Sequence, residues 1–262
     1  MTKIKVSLKL KPEDLLITLE TKLMECTNAV FFGINSIDNI KYLPDNLKTD
    51  DKSIFKYYPI GKLDLEKSKH NFKEWILKKG FGDLIIALTE LLISFSSIID
   101  IEKKINNKGK STINEFIDLV FEPNFSNSKK PFPSLINKIE KVIGKSLDYK
   151  LEIQSINKIR RCLEHRNGIV RPTDFNVENG IELRWYYYEV FIDDNGKERP
   201  IRKSEMINNK TNITLKEVPK KVFFEENEQI KISFAEFNEL AHFCQIFGKK
   251  LLKDYLIKNH NK

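Results

Sequence analysis

The run "LIIALTELLISF" at residues 84–95 is apolar around the whole circumference of a helix. A helix of that kind has no face to offer to water, so something apolar must cover it on every side. Thr89 and Glu90 interrupt the run, and its length falls short of a bilayer crossing, so the expected cover is other helices. The surrounding stretch "NFKEWILKKGFGDLIIALTELLISFSSIIDIEKKI" (71–105) therefore reads as the centre of a bundle, either one long helix or two broken near Gly80 and Gly82.

The other segments supply that cover. Residues 13–38 repeat apolar side chains at helical spacing after Pro12, which is a good first helical residue. A loop rich in Asn, Asp, Pro and Lys follows at about 39–66, with its tyrosines and phenylalanine expected to lie against the domain. A short helical piece is predicted at 112–121, another at 135–144 and a third at about 149–167. After Pro172 the pattern changes to aromatic and β-branched residues, and Asp194-Asn195-Gly196 is a hairpin signal because Asn-Gly tolerates positive φ. Further short strands are predicted at 211–217, 220–224 and 229–232, and residues 233–256 return to helical period with Ser233 and Glu236 as a capping box. The expected architecture is mainly α: an N-terminal helix and loop (1–67), a helical core (68–175), a β-hairpin-rich insertion (176–232) and a last helix that completes the bundle (233–262).

Charge narrows the class of partner. Lys and Arg outnumber Asp and Glu by 45 to 37, a balance that favours a polyanion such as RNA. No N-terminal stretch resembles a signal peptide, and the expectation is a cytoplasmic protein without a membrane partner. Cys26, Cys162 and Cys244 form no CxxC pair, and His242-Phe243-Cys244 lacks a second ligand pair, so neither metal nor cofactor is expected. "KGFGDL" (79–84) and "FGKKLL" (247–252) lack the glycine pattern and strand context of a phosphate loop.

Chemistry concentrates in "INKIRRCLEHRNGIVRP" (156–172). At 100° per residue, Ile153, Ile156, Ile159 and Leu163 form one stripe, and Gln154, Asn157, Arg161 and His165 form the opposite one. Arg160 and Glu164 lie at the boundary, four residues apart, where they can pair. His165 falls in the last turn before Gly168, where a cation is favoured by the helix dipole even without any function. Histidine beside arginines also suits metal-free RNA cleavage: the imidazole takes the proton of a ribose 2′-hydroxyl and the guanidinium groups stabilise the charge on the phosphate.

Arg160, four intervening residues and His165, followed by "RNGIV", resemble the R-x4–6-H signature of HEPN domains, small helical bundles that include many metal-independent ribonucleases of bacterial toxin and antiviral systems. The helix "FKEWILKKGFGDLI" is also similar to such families, and the resemblance covers about 68–175 and the final helix. It implies an HEPN-like bundle with Arg160 as the phosphate-binding arginine and His165 as the catalytic histidine. Arg161 stands where the family usually has a polar residue such as Asn, Asp or His, and an arginine there binds phosphate but cannot accept a hydrogen bond. Asn157, Arg166 and Asn167 are supporting or RNA-binding candidates, and Glu164 either orients His165 or neutralises Arg160, with the spacing favouring the second. The family implies a homodimer with a shared site, since Arg160 and His165 diverge by about 140° around one helix, and an antitoxin or defence-system partner.

Two other readings stand beside it. One keeps the bundle as a non-catalytic dimerising or RNA-holding scaffold. The other is a basic adaptor whose Trp185-Tyr186-Tyr187-Tyr188 run recognises a protein or stacks on a base, although strand alternation would send two of these rings to the bundle and two to the other side of the sheet.

Overall fold

The computed structural model describes residues 11–41, 64–107, 113–194, 197–201, 205–206 and 212–260. Among these residues the chain forms six α-helices and one three-stranded antiparallel sheet, with the sheet between the last two helices. The helices are α1 (Pro12–Asp38), α2 (Leu65–Asn107), α3 (Ile113–Ser128), α4 (Phe132–Ile143), α5 (Lys150–Arg166) and α6 (Phe234–His260). The strands are β1 (Gly180–Asp194), β2 (Lys197–Pro200) and β3 (Ile213–Glu225), in the order β2-β1-β3.

Helix α2 is the axle of the molecule. From Phe81 to Ile101 only Ile86 is exposed, and α1, α3, α4, α5 and α6 all pack on it. Of the two readings of this stretch, one long helix is the one found: α2 runs unbroken over 43 residues, through Gly80 and Gly82. Burial of the flanking apolar residues outweighs the helix penalty of about 1 kcal/mol per glycine. Gly80 instead allows a close approach: a Cβ there would lie 2.4 Å from Val30 Cγ2 of α1 and 3.0 Å from the Phe237 ring of α6. In its full length α2 is also long and apolar enough to cross a bilayer, which the shorter run 84–95 was not expected to be; 67% of its most apolar window is buried by protein.

Helix α3 is longer than the predicted 112–121 and continues through Pro123. Its last turn is held by Asn127, which is fully buried and donates to Ser97 Oγ and Asp100 Oδ2 while accepting from Lys138 and Lys130. Burial pushes the Asp100 carboxyl up, but hydrogen bonds from Lys138 and Asn127 outweigh that and hold it below its usual value. Helix α4 is strongly amphipathic, burying Phe132, Leu135, Ile136, Ile139 and Ile143, and Gly144 ends it at φ 84°.

The strands expected at 211–217 and 220–224 are one continuous β3 that runs through Pro219. A proline is tolerated there because β3 is an edge strand, with no partner on one side to miss its N–H. Residues 229–232 form no strand; they contribute a single bridge, Gln229 to Ile169. Asp194 pairs with Lys197 across the predicted hairpin, whose turn residues Asn195 and Gly196 lie outside the described residues, as do residues 42–63 of the N-terminal loop.

The sheet meets the bundle through its own alternation. Ile181, Leu183 and Trp185 are buried, and Trp185 donates its indole N–H to Glu239 of α6 at 2.9 Å. Tyr186 leans on Tyr149, Lys220 reaches over the rings of Trp185 and Tyr187, and Tyr188 stays exposed. The part of β1 that β2 leaves unpaired is covered by α5, where Ser155 accepts the Arg184 N–H at 3.0 Å. A bare strand edge is thereby capped by a helix side chain.

The two glycines of α2 separate packing from propensity. Gly80→Ala should lower stability by about 1–3 kcal/mol, since overpacking against Val30 and Phe237 exceeds the propensity gain of about 1 kcal/mol. At Gly82 a Cβ meets nothing closer than Glu164 Oε1 at 3.9 Å, so Gly82→Ala should gain up to about 1 kcal/mol. Urea unfolding of both variants checks this, and shifts of the same sign would contradict it.

Candidate functional site

Helix α5 is held from two directions, and that decides which of its side chains remain free. Ile153, Ile156 and Ile159 are buried in the bundle, as expected. Ser155 and Cys162 are buried too, because β1 and the segment after the helix cover a second flank. What is left to solvent carries Gln154, Lys158, Arg161 and His165, with Arg161 and His165 exposed and Gln154 and Lys158 half-buried; Leu151 and Glu164 of the helix are exposed as well. Arg161 makes no ion pair with any described residue, whereas Arg160 lies half-buried with Glu164 Oε2 at 3.7 Å from its Nε.

The Arg160–Glu164 pairing that the spacing suggested is therefore present, and Glu164 faces Gly82 of α2 rather than His165. The pair is loose. Arg160 Nε is buried without a hydrogen-bond partner, as is Asn157 Oδ1 beside it on the helix. Unpaired buried polar atoms cost roughly 1–3 kcal/mol each, so both positions are held less favourably than the rest of the helix.

The end of α5 is built by the backbone. Asn167 and Gly168 both adopt left-handed conformations, at φ 53° and 81°, and both N–H groups turn back to the Cys162 carbonyl. Asn167 thus serves as the cap, and its carbonyl accepts from Gln229 at 2.7 Å. The reversed chain then pairs with residues 227–230, through Val170 to Glu228 and Ile230 to Gly168. His165 is left on the last full turn, pointing to solvent from a helix end that cannot fray easily.

Arg166 has a structural partner. It donates to Asp174 Oδ1 at 2.7 Å, and Asp174, only 3% exposed, also accepts the Arg171 N–H at 3.1 Å. This carboxylate clamps the helix end to the short 3₁₀ turn Pro172–Asp174. Burial pushes the neighbouring Cys162 thiol up to about 12, with the Asp174 charge adding to it, so it stays protonated and inert at neutral pH.

Along the exposed strip lies a groove of about 370 Å³ between the start of α4, helix α5 and the first half of β1. Gln154, Asn157, Lys158, Arg161 and Arg184 line it. Lys158 follows from the helical wheel, since it sits between Gln154 and Arg161 on the same face. Arg184 had no local signal, because only the packing of β1 on α5 brings it there. His242 is exposed while Phe243 and Cys244 are buried, the arrangement of an amphipathic helix, and no group of three His, Cys, Asp or Glu residues that could hold a metal occurs among the described residues.

Breaking the clamp should matter more to stability than any change on the exposed strip. Asp174→Ala leaves Arg166 and the Arg171 N–H without their acceptor and should cost on the order of 2–3 kcal/mol, less than a fully buried pair because Arg166 stays partly wet. Arg161→Ala should shift stability by less than about 0.5 kcal/mol. Thermal or urea unfolding of the two variants gives the comparison, and equal losses would refute it. No protein-family model, no curated protein and no solved structure matches this chain, and the site has to be read from its own residues.

Proposed function

We propose that this protein is a metal-independent, HEPN-type endoribonuclease that acts in the cytoplasm as a homodimer, of the kind found in bacterial toxin and phage-defence systems. The observation that carries this reading is the solvent-open His165 on the last turn of α5, one turn from an Arg161 that no described residue pairs with. Ile153, Ser155, Ile156, Ile159 and Cys162 are committed to the core, so the strip that carries Arg161 and His165 is open to a ligand.

In the proposed reaction His165 accepts the proton of a ribose 2′-hydroxyl and the 2′-oxygen attacks the adjacent phosphorus. The bond from phosphorus to the 5′-oxygen breaks, and that oxygen takes a proton from an imidazolium, supplied by His165 of a second copy. The products are a 2′,3′-cyclic phosphate and a 5′-hydroxyl. Arg161 is placed to meet phosphate directly, and Arg160 does so by exchanging its loose contact with Glu164 for a phosphate oxygen. Because Arg160 and His165 diverge by about 140° around α5, a second motif helix completes the set. An antitoxin or defence-system protein is the class of partner that would restrain it.

A second reading, a non-catalytic RNA-holding or dimerising scaffold, is favoured by one observation: Arg160 is already engaged by Glu164. Purified protein incubated with RNA in EDTA separates the two. The nuclease reading expects cleavage with the stated ends, a loss of roughly 100-fold or more in His165→Ala, and a rate per chain that falls on dilution into monomer. Intact RNA selects the scaffold, and full activity in His165→Ala rules out His165 as the catalytic residue.

A further inference from the structure

The groove beside α5 differs from the other large grooves in its charge. The groove between α1, α2 and α3 carries Glu90 with Lys22, the one between α1 and α6 carries Glu20, and the one beneath residues 230–233 mixes Glu74 and Glu236 with Lys73, Lys78 and Lys231. The groove at α5 has Lys158, Arg161 and Arg184 and no carboxylate among its described lining residues. Lys158 donates to the Phe175 carbonyl, a neutral acceptor that leaves its charge uncompensated, whereas Arg184 is ion-paired through Nε with Glu182 and keeps its other guanidinium N–H groups as donors. Arg161 has no such contact among the described residues.

We propose that this groove is the track for the sugar-phosphate backbone of single-stranded RNA, and that the β insertion supplies one wall of it through Arg184. The assignment rests on the reading of α5 as the RNA-facing helix and extends it from the helix end to the sheet. Lys158 and Arg161, with no carboxylate paired to either among the described residues, and the remaining donors of Arg184 give a phosphate-binding line. Asn157 and Gln154 line the same groove, and their amide side chains offer donors and acceptors that suit 2′-hydroxyls and base edges. From Gln154 to His165 the strip rises about 16 Å along the helix axis, so a strand lying in the groove leads to the histidine. An acidic peptide would satisfy the cations, and its backbone amides would pair with the same side chains, so the choice of RNA follows from the reading of α5 and is tested against poly-glutamate.

The test uses the full chain with His165→Ala, so that RNA survives, and a fluorescein-labelled single-stranded RNA read by anisotropy across a salt series in EDTA. Arg161→Ala with Arg184→Ala in that background should weaken binding at least 10-fold and reduce the salt slope by roughly 1.4, the loss expected for two phosphate contacts on a single strand. Arg184→Lys should recover part of the affinity, which a purely structural arginine would not show. Unchanged affinity, a weakening with no change in salt slope, or tighter binding of poly-glutamate than of RNA would overturn the groove assignment. If the groove variants lose binding while wild-type protein cuts no RNA, the groove stands and the nuclease reading falls. If wild type cuts RNA and the double variant cuts it equally well, the groove falls alone.

Discussion

Everything in this molecule is arranged around the need to keep α2 dry. A helix that is apolar on all sides has no stable state in water unless it is sheathed, and five other helices do the sheathing. The closest approach, at Gly80, is where α1 and α6 press against it with no room for a methyl group. The apolar faces of α1, α4, α5 and α6 are consequences of that demand, since each presents to α2 the residues it cannot leave in solvent.

Helix α5 meets a second demand. It covers α2 with Ile153, Ile156 and Ile159, and it also seals the edge of β1 with Ser155. Between these two commitments its remaining surface is narrow and polar, and it is fixed in direction by the left-handed turn at Asn167-Gly168 and by the Asp174 clamp. A strip of cations and amides on such a rigid support is preorganised, so a ligand that binds it need not immobilise the helix as well. The loose contact of Arg160 with Glu164 is the one place on that side where the arrangement is held weakly enough to be exchanged.

The helices were largely legible in the sequence because burial repeats at helical period, most clearly along α1 and α4. The sequence leaves open whether Gly80 divides α2, because the role of that glycine, the approach of Val30 and Phe237, depends on contacts distant in sequence. Pro219 split β3 in two on paper for a similar reason: whether a proline harms a strand depends on whether that strand lies at an edge. The exposed strip of α5 could be drawn on a wheel, with Arg161 and His165 correctly on its open side. Its groove could not, since Arg184 arrives through the packing of a strand, and Arg166, which looked like another RNA-facing cation, is taken by a buried aspartate.

The central claim is that α5 uses its one free face to hold RNA. The most direct measurement is photo-crosslinking of 4-thiouridine-containing RNA to the full chain with His165→Ala, followed by mass spectrometry of the linked peptides. The account predicts crosslinks concentrated in residues 150–166 of α5 and around Arg184 of β1. Crosslinks confined to other basic surfaces, such as the lysine-bearing end of α6, with none on α5, would contradict it.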